Sequence, residues 1–155
     1  MLKNLGPMAV LAVPLLNATG CVVYSYDTVE DTGYTYTEVV VVEENYAPMV
    51  LDGYAFVYWD PAFRDDIWEF EAVVDDPDSP YDVVAVYADV FDECRGGTLI
   101  ESFELFPTND SFVWFSDWLG SSTYLDPFSP CYTVDLVAYD SYDAVDVMTV
   151  TAETY

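Results

Sequence analysis

The chain has 155 residues, 53% of them hydrophobic, with 29 acidic side chains, three basic ones, no histidine and a formal net charge of −26. So high an apolar fraction demands a folded core in spite of the charge. The only cations are Lys3, Arg64 and Arg95, which excludes a Ser-His or Cys-His nucleophile and a phosphate-binding P-loop, and also a nucleic-acid surface, because phosphate affinity comes from clustered Lys and Arg.

Residues 1–20 differ in composition from the rest: Lys3 near the start, an apolar run over 5–16, then Asn17, Ala18, Thr19 and Gly20 before Cys21. A membrane-spanning helix needs about 20 apolar residues, and this run is too short, so the segment reads as a secretory signal. The small residues Ala18 and Gly20 directly before Cys21 resemble the lipobox of bacterial lipoproteins. That resemblance implies cleavage before Cys21, a lipid on its sulfur, a membrane partner through the lipid anchor, and an exported protein on the outer membrane or cell surface. The competing reading is a plain secretory signal with a coincidental cysteine.

Cysteine parity agrees with lipidation. Three cysteines are an odd number for an exported chain; with Cys21 lipidated, Cys94 and Cys131 remain to pair in an oxidising compartment. Such a bridge closes a loop of about 38 residues, for which chain entropy gives about 4 kcal/mol. Residues 22–44 mix Tyr, Thr, Val and acids and read as a tether, although the β-prone run 39–42 could instead add an edge strand.

From Asn45 onward the pattern has period two, with turn residues every 8–12 positions, the signature of an all-β sandwich. Strands are predicted over 48–51, 55–59, 67–74, 83–91, 99–106, 112–115, 132–139 and 145–151. Trp68, Phe70, Ala72 and Val74 share one face and Glu69 and Glu71 the other, so the glutamates identify the solvent side. Val84, Val86, Ala88 and Val90 form a second inward row, and Tyr132, Val134, Leu136 and Ala138 a third. The intervening turns, 75–80, 95–97 and 140–143, are rich in Pro, Asp, Ser and Gly.

These residues carry a further resemblance. The entry Asn45-Tyr46-Ala47-Pro48, the strand and loop over 68–78, and the hairpin over 131–151 are similar to bacterial immunoglobulin-like, cadherin-like and PKD-type repeats. The likeness spans 45–152 and implies an Ig-like Greek-key β-sandwich of seven to eight antiparallel strands over 45–155, with Tyr132 in the position of a tyrosine corner. It departs from antibody domains because Cys94 lies near a turn. The family implies extracellular scaffolding, adhesion or glycan binding, and fold analogy does not choose among them.

Two sets of site residues follow. In such a sandwich the first-strand entry, the loop after the second strand and the last hairpin turn share one end. They bring together Glu44 and Asn45, then Asp76, Asp78 and Asp82, then Asp140 and Asp143, enough oxygens for Ca2+. The competing reading is that Asp merely builds these turns. The second set is aromatic: Trp114, Phe115, Trp118, Tyr124 and Phe128, with Asp117 and Asp126, could stack on and hydrogen-bond a sugar. Against this, Trp114 and Phe115 must face opposite sides of a strand, whereas Trp118 falls in a stretch, 116–122, that reads as loop. No catalytic residue is assigned. Paired carboxylates can do acid–base work, but 29 acids supply a pair at any spacing by chance. The expected role is a structural or adhesive surface module, with a protein or glycan as partner.

Overall fold

The computed structural model describes residues 23–29, 35–41 and 45–154. The expected leader, the expected lipidation site Cys21 and Glu44 lie outside them. The chain divides into two compact units at Glu44/Asn45. In the first, strands β1 (Val23–Val29) and β2 (Thr35–Val41) form an antiparallel hairpin, with Val23 opposite Val41 and Val29 opposite Thr35. The β-prone run that begins at Val39 thus pairs within its own segment.

The second unit is all-β. Its strands are β3 (Met49–Asp60), β4 (Asp65–Asp75), β5 (Val83–Asp92), β6 (Thr98–Pro107), β7 (Val113–Leu119), β8 (Tyr132–Asp140) and β9 (Val145–Thr154). They close into a barrel in the order β3-β4-β7-β6-β5-β8-β9. This corrects the expectation of a two-sheet sandwich with antiparallel strands throughout. Two seams make the closure. Strand β6 pairs with β5 along most of its length and then with β7 at Phe106 and Pro107, while the end of β9 runs parallel to β3 from Ala152 to Thr154. Ahead of that short parallel ladder, the Val50 N–H donates to the Asp146 carboxylate at 2.9 Å.

The alternating pattern fixes the core. Trp68, Phe70, Ala72 and Val74 are buried, as predicted, and so are Tyr132, Val134, Leu136 and Ala138. Phe70 stacks on Phe103 with centroids 4.9 Å apart, and Trp68 meets Tyr132 edge-on at 6.0 Å. Two bulges shift the predicted phase. In β5 the register slips between Val83 and Ala85, so Val83 points in and Val84 is 58% exposed. In β3 it slips between Val50 and Asp52, which joins the two predicted strands 48–51 and 55–59 into one. An extra residue restores Ala55 and Val57 to the inside after Val50. Gly53 follows the bulge because nothing larger fits: a Cβ there would lie 2.3 Å from Leu136 Cδ1 and 2.6 Å from the Glu71 carbonyl oxygen.

Candidate functional site

The cross-strand register places two ends of the barrel unambiguously: Val83 lies opposite Asp140 at one end, and Asp92 opposite Tyr132 at the other. At the first end the approach to β3, the β4–β5 loop and the β8–β9 turn converge. Asp76, Asp82 and Asp140 each hold a carboxylate oxygen within 4.8 Å of the others. Asp140 is 1% exposed and Asp76 3%. Asp140 completes the β8–β9 turn, its Oδ1 accepting the N–H groups of Tyr142 and Ala144 at 2.8 Å each, while its Oδ2 accepts from Asn45 Nδ2 at 2.6 Å. Burial pulls the Asp140 carboxyl upward, but the bonds from Asn45, Ala144 and Tyr142 outweigh it and hold its pKa below the ordinary value.

Asp76 builds the β4–β5 loop in the same manner. Its Oδ1 accepts the Asp78 N–H at 2.8 Å and the Ser79 N–H at 3.4 Å. Its Oδ2 is buried and has no partner among the described residues, and the same is true of Asn45 Oδ1. Asp82 accepts the Ser141 hydroxyl, which ties the loop to the turn. A buried oxygen without a donor is costly, and three carboxylates crowded together repel one another. A divalent cation placed among them would relieve that repulsion, and the three carboxylates are hard oxygen donors of the kind such a cation prefers.

Not every predicted ligand joins this group. Asp78 is exposed and its Oδ2 accepts the Tyr46 N–H at 2.7 Å, so it serves the chain entry. Asp143 is exposed in the turn, at φ 63°, where its left-handed backbone is its contribution. A second acid–sulfur group, Asp92 with Cys94 and Cys131, offers no thiolate, because the two sulfurs form the expected disulfide. Asp92 instead accepts the Cys94 N–H and lies 3.3 Å from the Arg95 guanidinium.

The aromatic set does not form one platform. Trp114 faces the core opposite Ala72 and lines a groove of about 370 Å³ with Tyr81 and Asn109. Trp118 corrects the loop reading of 116–122, because β7 continues to Leu119. It sits opposite Trp68 with its ring 5.5 Å from Phe103, and its indole N–H donates to Ser116 Oγ at 3.3 Å, which leaves it 38% exposed. Four strand residues, or about 13 Å, separate Trp118 from Trp114. Phe115 points outward opposite Glu71, and Asp117 faces Glu69. Tyr124 and Phe128 are each 85% exposed, and Asp126 caps the Phe128 N–H. The two orphan oxygens were not legible in the sequence, since they depend on which oxygen each turn consumes.

No protein-family model, curated protein or solved structure matches the chain.

Proposed function

We propose that this chain is an exported module of immunoglobulin-like strand order, anchored through a lipid on Cys21 and stabilised by calcium, with a structural or adhesive role at the cell surface. The observation that carries the reading is the group of Asp76, Asp82 and Asp140, with Asn45 bonded to Asp140, in which Asp76 Oδ2 and Asn45 Oδ1 are buried without a donor among the described residues. Calcium takes six to eight oxygens, so backbone carbonyls and water complete the shell; magnesium, smaller and octahedral, fits less well. The strand order supports the Greek-key reading. So does Tyr132 at the start of β8, whose hydroxyl accepts the Asp126 N–H at 3.1 Å, as a tyrosine corner bonds to backbone upstream. The Cys94–Cys131 bridge fits an oxidising compartment.

The test is a thermal melt in millimolar calcium against sodium chloride of equal ionic strength. At a hundredfold excess over Kd, linkage contributes about 2.7 kcal/mol, or roughly a 10 °C rise for a domain of this size. The Asp76→Asn, Asp82→Asn double variant should lose that rise, and terbium luminescence sensitised by nearby aromatics should vanish with it. Equal stabilisation by sodium would reduce the cluster to turn chemistry and surface charge.

A further inference from the structure

A groove of about 650 Å³ follows the seam where β9 meets β3. Its walls include Tyr54 and Phe56 on β3, Glu69 on β4, and Thr151 and Glu153 on β9. The carboxylates here are crowded: Glu69 lies directly opposite Asp117, and like charges in that relation destabilise a sheet. The neighbouring phenols serve as donors to them, Tyr58 to Glu69 at 3.1 Å and Tyr54 to Glu71 at 3.4 Å. The Tyr54 hydroxyl pKa is pushed up to about 12, by burial first and, to a lesser extent, by the negative potential of the Glu71 and Glu69 carboxylates.

The protein has almost no cation of its own to answer that potential. Arg95 is engaged with Asp92, Arg64 occupies the β3–β4 turn, and neither lines the groove. Hard metal ions are a poor match, because aromatic walls with two carboxylates fall short of six oxygen ligands. An organic cation matches both parts of the lining: aromatic faces attract it through their quadrupole, and carboxylates accept its N–H groups. Arginine suits this better than lysine, since its planar, weakly hydrated guanidinium stacks on a ring while donating in a fork.

We infer that this groove is a docking site for an arginine side chain presented by a basic polypeptide partner, held between the Tyr54 and Phe56 rings and the Glu69 and Glu153 carboxylates. The site lies on the seam and uses none of the calcium-cage residues, so it stands or falls separately from the calcium reading.

Calorimetric titration of the full chain tests it, with a nonapeptide carrying three arginines spaced by Gly and Ser, and the same peptide with Gln in place of Arg. At about 0.15 M salt, where the Debye length is about 8 Å and diffuse attraction is damped, the arginine peptide should bind and the glutamine peptide should not. Phe56→Leu keeps net charge and apolar bulk but removes the ring face, and should weaken binding about fivefold. Glu69→Gln and Glu153→Gln should each weaken it about tenfold. Glu104→Gln, an exposed carboxylate on β6, should change it less than about twofold. No binding of the arginine peptide overturns the inference. So does a Phe56→Leu variant that binds like the parent, or a Glu104→Gln loss equal to that of Glu69→Gln, because either would reduce the effect to bulk charge.

Discussion

The barrel's two ends are closed by different means. At the end where β5 leaves and β8 begins, a disulfide from Cys94 to Cys131 is backed by rings: Trp68, Phe103, Trp118 and Tyr132. At the opposite end the closure is polar, with Asp76, Asp82 and Asp140 drawn together, Asn45 bonded to Asp140, and two oxygens without a donor among the described residues. The first end is held by a covalent bond and ring packing, with the buried Trp68 indole N–H its one polar atom without a partner among the described residues. The second is complete as a scaffold of turns but electrostatically unfinished, so its stability should depend on solution composition where that of the first does not.

Breaking the covalent end should have the largest effect. Cys94→Ala with Cys131→Ala should lower unfolding stability by about 4 kcal/mol in urea titrations, from the lost constraint on the unfolded chain. The calcium increment should persist, because the cage lies at the other end. A double variant that loses both would show that the ends are coupled.

Next comes the polar end. Asp76→Asn should remove most of the calcium increment, about 2.7 kcal/mol at a hundredfold excess over Kd. Without calcium the same variant should match or exceed the parent, since it relieves repulsion among three carboxylates. Crossing melt curves are the expected signature; a variant weaker under both conditions would make Asp76 a purely structural turn residue.

A smaller loss is expected from Trp118→Ala. A fully buried aromatic truncation costs about 3–5 kcal/mol, and this ring is partly exposed, so about 2 kcal/mol is expected, without change in the calcium increment. Near-ultraviolet circular dichroism should report the altered packing around Phe103.

The smallest effects concern protons. Asp140 and Asp65 have carboxyl pKa values lowered from the usual 3.8, Asp65 chiefly through the Ser121 hydroxyl. Their contribution is therefore present above the unfolded value and fades as pH falls through the folded one. Ser121→Ala should flatten the acid limb of the stability curve. Tyr54 has the opposite sign: its contribution is whole below pH 10.0 and fades as pH rises toward about 12. Tyr54→Phe should remove that alkaline loss, as pH-dependent melts can show.

Alternation was readable wherever one face is apolar and the other charged, which is why β4 and β8 matched their predicted faces residue by residue. It failed where the chain changes phase. The slip at Val50/Asp52 left Asp52-Gly53 looking like a turn between two strands, and the slip at Val83/Ala85 turned Val84 outward. Both bulges insert a residue without any unusual composition, so period counting cannot register them. Trp118 was misplaced because its neighbours Ser116, Asp117 and Gly120 are turn-prone, while what holds it in β7 is a long-range pairing with Trp68. The meeting of Asp76, Asp82 and Asp140 was the more legible feature, since Asp-rich turns at a shared end can be read from topology. The seam groove could not be, because it depends on the three-residue parallel contact that closes the barrel.

That contact has a mechanical meaning. Strands β3 and β9 run in the same direction, so tension applied in opposite senses at residues 45 and 154 pulls the two strands past each other lengthwise. The hydrogen bonds from Ala55–Val57 to Ala152–Thr154 are then loaded together in shear, not opened one after another like a zip. The Asn45–Asp140 bond stands ahead of them at the point where force would enter. A module built this way resists stretching along its length far better than peeling across it.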